Sequence, residues 1–405
     1  MRDELTSDTL ERLAPREAGL ISPPPGRSPQ THPPLLGETG DWTEETIHDH
    51  DDFMRLRREW NDLASPFATP LLTFEWFEAC AAAVCPPERL SIVVVRSTGR
   101  IMALAPLVTV RKMGVDHLEI LGSSLLGEPG GLIYRDRESL RRILRAIVAK
   151  RLPTALGRLP VETGIDRFLH QEVRSSFSLS LRGISYSPWI PIAGSRRDFE
   201  EGLSSRRRSD LKRARRRADE FGSVEFEITT PPPESLGRSL EELFEVEAAG
   251  WKERRGTSIR SLGRLRQFLK SYSLSAGRAG TLRLCFLRIG GRAAAAQCAV
   301  EYAGALWVLK IGYNEAYARC SPGILLMHEV IGYAFDRGLR RFEFLGNDEP
   351  WIRMWAHDAR SYVSWRWYPP SLRGLLSLCR DGVGFLAEKL VSFKRNAAPH
   401  GKHLL

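Results

Sequence analysis

The sequence predicts an α/β protein of mixed sheets and helices, arranged as two similar units joined by a basic helix. Three observations point there. Apolar residues alternate as in strands in some windows and recur at helical spacing in others, with turn signals between them. The stretch LSIVVVRSTGRIMALAPLV returns as LRLCFLRIGGRAAAAQCAV, with Arg96/Arg288, Gly99/Gly291, Arg100/Arg292 and Ala103/Ala295 at a constant offset of 192 residues. Between the two copies, Arg206 to Arg217 hold eight basic residues against one acid, Asp210. Any two hairpins with a glycine turn look alike, but the order of the flanking elements repeats as well.

The elements follow in order. Residues 1–40 carry seven prolines and few large apolar groups, too little to offset the entropy of ordering, so a disordered tail is expected. From Asp41 the first unit, 41–195, reads as a helix near 50–63, then TPLLTFEW opening a second helix through Val84 with Thr73 as its N-cap. Two β-rich runs joined at Thr98-Gly99 follow, then HLEILGS, helices near 136–150 and 163–174, and the run SLSLRGISYSPWIPI. The connecting segment 196–222 is a helix whose narrow stripe, Leu203, Leu211, Ala214 and Ala218, docks on the protein and exposes its arginines. The second unit, 223–370, reads VEFEITT, helices within 234–255 and 261–275, the hairpin around Gly290-Gly291, ALWVLKIGYN, a long helix GILLMHEVIGYAFDRG and the strand RRFEFLG. In 371–405, Leu372, Leu375, Leu376, Cys379, Val383, Leu386 and Leu390 fall on one helical face with basic residues beside them; this segment either lies in a membrane interface or packs on the second unit.

At 405 residues the chain holds two to three domains at about 150 residues each. Hydrophobic residues at 42% and charged residues at 27% are globular values, and no run of 18 apolar residues marks a membrane span. The polar MRDELTSDTL lacks a secretory h-region, and the six cysteines are scattered without zinc spacing, so reduced core thiols, no metal and a cytoplasmic setting are expected. The net charge of +10 is concentrated in the connecting helix. Three roles remain open for it: a solvated connector, a contact for an acidic acceptor or membrane phosphates, or an RNA-binding face, the least favoured.

The chemistry concentrates between Ala305 and Trp355. A strand to Tyr313 leads through a loop to Ser321-Pro322-Gly323, which opens a helix with unpartnered amides, an anion site by its nature and equally a plainly capped helix. Asp348 and Glu349, just past RRFEFLG, are the candidate bases, in a sequence that also suits a polar turn. Lys310, Tyr313 and Tyr317 flank the same cleft, and alternation sets Lys310 opposite Ile311 and Tyr313. Trp351, Trp355, Trp365 and Trp367 are candidates for a sugar-stacking platform or for core.

Four segments in this order, WNDLASPFATPLLTFEWFEA, LSSRRRSDLKRARRRADEFG, GYNEAYARCSPGILLMHEVI and FEFLGNDEPWIRMW, resemble the acetyltransferase-like family of cellulose-biosynthesis CelD-type proteins. That family lies in the GNAT superfamily and is allied to the Fem aminoacyl transferases. The resemblance, over about residues 42–368, implies tandem GNAT-like domains and acetyl-CoA as co-substrate. It implies a pyrophosphate held by the backbone at Ser321, Gly323, Ile324 and Leu325; beside it, Trp351 and Arg353 are candidates for contact with the acceptor. The family pattern Glu-Pro-Tyr-Lys reads Glu349-Pro350-Trp351-Ile352 here, so its lysine is absent, with Arg353 next in line. The implied reaction is acetyl transfer to a saccharide, amino sugar or lipid-linked sugar in exopolysaccharide or envelope synthesis, in the cytoplasm or at the inner membrane face through peripheral contact with anionic lipid. The alternatives are Fem-like use of aminoacyl-tRNA and a non-catalytic scaffold.

Overall fold

The computed structural model describes residues 41–86, 88–250, 259 and 261–382. The stretch 1–40 and the end of the predicted C-terminal stripe, Val383, Leu386 and Leu390, lie outside them. The first half runs β1 (Trp42–Ile47), α1 (His50–Arg55), α2 (Arg57–Ala64), α3 (Phe74–Val84), β2 (Arg89–Leu90), β3 (Ile92–Ser97), β4 (Arg100–Ala105), β5 (Leu107–Lys112), β6 (Val115–Ile120), α4 (Ser123–Leu126), β7 (Ile133–Tyr134), α5 (Arg137–Ala149), β8 (Thr154–Pro160), α6 (Ile165–Ser175) and β9 (Leu179–Pro191). The helices α7 (Arg196–Gly202) and α8 (Ser205–Asp219) connect it to β10 (Val224–Thr229), α9 (Pro233–Ala248), α10 (Gly263–Arg278), β11 (Leu282–Ile289), β12 (Arg292–Tyr302), β13 (Ala305–Tyr313), α11 (Pro322–Asp336), β14 (Arg341–Glu343) and β15 (Asp358–Tyr368).

The internal repeat is structural. β1 pairs antiparallel with β3 and β3 with β4; β10 pairs antiparallel with β11 and β11 with β12. Both hairpins turn on two consecutive left-handed residues, Thr98-Gly99 and Gly290-Gly291, a backbone that matches the twist of the strands. The copies differ at Pro106. Proline cannot continue a ladder, so the first copy breaks there and sends β4 and β5 into different sheets, whereas β12 runs unbroken past the equivalent Cys298 with only a bulge.

The larger sheet has eleven strands, in the order β10-β11-β12-β13-β14-β9-β15-β8-β6-β5-β2. Its centre is an exchange. β9 leaves the first half to pair with β14, Arg341 opposite Pro191, and β15 returns from the second half to lie between β9 and β8. One apolar core fills the first half and continues under α9 and α10, where Trp76 meets Phe268 and Tyr272 edge-on at 4.9 and 5.0 Å. Each such aromatic pair adds about 0.5–1.5 kcal/mol beyond its buried area. A second core lies under α8 and α11. Trp355, Trp365 and Trp367 are buried in these cores, so among the four tryptophans considered for sugar stacking only Trp351 keeps an accessible face.

Two local expectations are corrected. The predicted helix near 50–63 is two helices, α1 and α2, meeting at Leu56. Thr73 stands at the N-cap of α3, but its hydroxyl donates back to the Pro70 carbonyl, and Asn61 Oδ1 accepts the Phe74 amide at 2.8 Å in its place.

Candidate functional site

β13 and β14 run parallel and pair over three residues only, Ala305–Trp307 against Arg341–Glu343. Beyond that point they part. β13 continues to Tyr313 with β12 as its partner, while the chain after Glu343 leaves the sheet, the Phe344 amide donating to the Pro188 carbonyl at 3.2 Å. A wedge opens between residues 308–313 and 344–349. A bulge in β13 leaves Leu309 without a cross-strand partner, the kind of irregularity that frees backbone groups beside a site. It also fixes the side-chain directions: Ile311 and Tyr313 join the core under α11, and Lys310 stands opposite Cys298 on the other face.

At the mouth of the wedge, α11 begins at Pro322. Ser321 has the left-handed backbone φ +48°, and its side chain caps nothing, because the N-cap hydrogen bond requires an extended backbone that this residue does not have. The Ser321 carbonyl accepts the amides of both Ile324 and Leu325, at 3.0 and 3.2 Å. Both amides are therefore committed, which leaves the Gly323 amide as the donor with no partner among the described residues. A Cβ at Gly323 would sit 3.5 Å from the Tyr313 ring, an ordinary contact. α8 docks beside this junction through Ala214 and Ala218, and the Arg217 guanidinium donates to the Arg319 carbonyl at 3.3 Å. The basic helix thus stands next to the start of α11.

The predicted bases lie on the rim. Asp348 is gripped by Arg353, Nε to Oδ1 at 3.1 Å and Nη2 to Oδ2 at 3.0 Å, and Glu349 accepts the Trp351 indole N–H at 2.6 Å. Arg353 follows a short helical turn, 352–354, instead of the strand expected there. Trp351 meets Phe344 edge-on, and Tyr317 packs edge-on against Phe221 beyond the end of α8.

Two residues that sequence reasoning passed over sit deeper. Glu128, from the first-half loop Gly127-Glu128-Pro129-Gly130-Gly131, accepts the Gly346 amide at 3.0 Å. Burial raises its carboxyl above the ordinary range, opposed by the Gly346 amide and by the charges of Lys310 and Arg158. Arg158 is itself buried, with left-handed φ +50°; it donates to the Gly127 carbonyl at 2.8 Å and to Ser187 Oγ and the Gly346 carbonyl. It binds the first-half loop, β9 and the segment after β14 together. The available signal was an acidic residue inside a Gly/Pro-rich loop of the first half.

The same strand divergence recurs in the first half. β6 and β8 pair parallel only at Leu118/Thr154 and Glu119/Ala155, beside a cavity of about 240 Å³ lined by Lys112, His117, Glu119, Arg366, Arg380 and Asp381. Its long helix, α5, opens with a capping box on Asp136, which sets a carboxylate where an anion would otherwise bind. Burial, then Arg380 and Lys112, push His117 down to about 4, and its Nε2 lies 3.2 Å from Ser377 Oγ. The folded state therefore keeps this ring neutral. Stability is fully present above the unfolded-state value near 6.5 and falls with pH until about 4, a loss of up to about 3 kcal/mol. Thermal melts from pH 7.5 to 5 are expected to show this decline, and His117→Gln to flatten it.

With this geometry in view, residues 205–353 match the family described as Acetyltransferase (GNAT) domain. This match spans well under half of the chain. Its start falls at α8 and its end at Arg353, so the wedge, the α11 junction and the rim all lie inside the match, while Glu128 and Arg158 lie outside it. Among solved structures, FemX is similar over 82% of this chain and 99% of its own, at 14% identity and a TM-score of 0.52. A tandem GNAT protein of the clavulanic acid biosynthesis pathway aligns over 82% of this chain and 100% of its own, at 14% identity and TM-score 0.46. The C-terminal domain of a putative lysylphosphatidylglycerol synthetase from Agrobacterium fabrum aligns over 82% and 97%, at 9% identity and TM-score 0.47. No curated protein matches the chain. The fold is tandem GNAT-like. Among the described residues there is no cluster able to hold a metal ion, and no helix is long and apolar enough to cross a membrane.

Proposed function

We propose that this chain transfers an acyl group, acetyl in the first instance, from a coenzyme A thioester to an amine or hydroxyl of a saccharide, in envelope or exopolysaccharide synthesis. The observation that carries the reading is the parting of β13 from β14 beside the start of α11, inside the GNAT domain. An extended thioester arm fits along β13 beyond Trp307, where its pairing with β14 has ended. The unpartnered Gly323 amide at a helix start, with the arginines of α8 alongside, suits the phosphates.

Chemically, the acceptor nitrogen or oxygen attacks the thioester carbonyl carbon. A C–N or C–O bond forms, the C–S bond breaks, and the coenzyme leaves as its thiolate. The acceptor proton passes to Glu128, whose affinity for protons is raised by burial. Because Glu128 comes from the first half, the reaction needs both halves. The half-exposed Trp351, flanked by Asp348, Glu349 and Arg353, offers an apolar face bordered by hydrogen-bonding groups, which suits a hydroxyl-rich ring. Calorimetric titration with acetyl-CoA, free CoA and a short acyl-CoA series tests the reading: binding of the thioester is expected, and failure of every thioester to bind overturns it.

A further inference from the structure

Among the described residues, two segments remote in sequence turn unpartnered apolar side chains to one face of the molecule. In the ladder of β9 with β15, Leu179 stands opposite Tyr368 and Leu181 opposite Arg366, so these four residues share a face of the sheet. The Tyr368 hydroxyl donates to Asp381 at 2.8 Å and Arg366 lies 3.8 Å from it, which holds the helical stretch 372–382 over that same face. The helix sits with its small residues inward: Gly374 and Ser377 are buried, Ser377 against His117, while Leu372, Leu375 and Leu376 point away at i, i+3 and i+4. Together with Phe177 at the turn before β9, the five leucines are between 51% and 86% exposed. Contiguous exposed apolar surface of this kind marks a place of contact.

Charge selects the partner. On the face that carries Leu181 and Arg366, Arg373 and Arg380 join Arg366 against one acid, Asp381, which leaves the face positive, while Arg182, opposite Trp365 and paired with Asp166, lies on the other face of β9. A second copy docked by two-fold symmetry would set this positive surface against itself. An anionic lipid surface would attract it, and the hydrated headgroup layer would satisfy the outer edge of β9 over 179–187, which has no sheet partner among the described residues. We infer that this face docks on an anionic phospholipid membrane, with Phe177 and the leucines at the acyl boundary and the arginines among the phosphates.

Flotation of the full chain with phosphatidylcholine vesicles, with and without phosphatidylglycerol, tests this independently of any thioester. Binding is expected with phosphatidylglycerol and is weakened by salt. The pairs Phe177→Ser with Leu179→Ser, and Leu375→Ser with Leu376→Ser, should each lower partitioning about tenfold or more, with residues 383–405 unaltered in both. All four positions are exposed, and unchanged thermal melts verify folding. The proposal falls if the unaltered chain ignores phosphatidylglycerol vesicles or if both variants bind as well as it does. It falls equally if the chain is a dimer in solution that these substitutions dissociate, which makes a second copy the occupant.

Discussion

Replacing Gly323 with aspartate is expected to weaken acyl-CoA binding about 100-fold or more by calorimetry, while Gly323→Ala stays within a few-fold of the parent. The contrast isolates charge from size. The Cβ that either residue brings meets the Tyr313 ring at 3.5 Å, so the space exists. A carboxylate in the first turn of α11 interacts favourably with the helix dipole, and the folded state should hold or gain stability, about 0.3–1 kcal/mol. Lost binding therefore cannot be laid to lost structure. The carboxylate occupies the point where the phosphates would meet the Gly323 amide, and like charges about 4 Å apart repel by about 4 kcal/mol at a partly screened protein surface, enough for the expected loss. A Gly323→Asp variant that binds acetyl-CoA as tightly as the parent would move the coenzyme away from the α11 start.

How much of this could be read from the chain depends on distance along it. The hairpin turns were legible because Gly99 and Gly291 meet a local demand for left-handed backbone, and α11 was legible from Pro322 at its first position and the apolar run behind it. The strand RRFEFLG was only partly legible: residues 341–343 pair, and the rest follows hydrogen bonds to β9 and to the first half that no local pattern encodes. Thr73 looked like a cap because its type and place are right, yet the acceptor came from Asn61, 13 residues away from Phe74. Glu128 and Arg158 show the limit most clearly. Their bonds to Gly346 span 218 and 188 residues, and each depends on the exchange of β9 and β15 at the centre of the sheet. Asp348 and Glu349 stand out because they are adjacent in sequence; the carboxylate held at the base of the wedge arrives from the other half.

Glu128→Gln is expected to lower kcat by about 10²–10³ with the KM for acyl-CoA little changed, the effect of removing a general base. Glutamine keeps an oxygen for the Gly346 amide, 3.0 Å from the native carboxylate, so the loop and its tie to the second half persist. The pH profile separates a chemical role from a structural one. A base works deprotonated, and burial raises the Glu128 carboxyl above its ordinary value of 4.5, so activity of the parent should fall on the acid side of a limb lying above that value. The variant has no proton to lose there, and its residual activity should lack the limb. Asp348→Asn makes the comparison: both Asp348 oxygens already accept from Arg353 at the exposed rim, and an effect on acceptor KM larger than on kcat is expected. Should Asp348→Asn instead erase the acid limb while Glu128→Gln leaves it in place, the base is on the rim, and Glu128 serves only to join the halves.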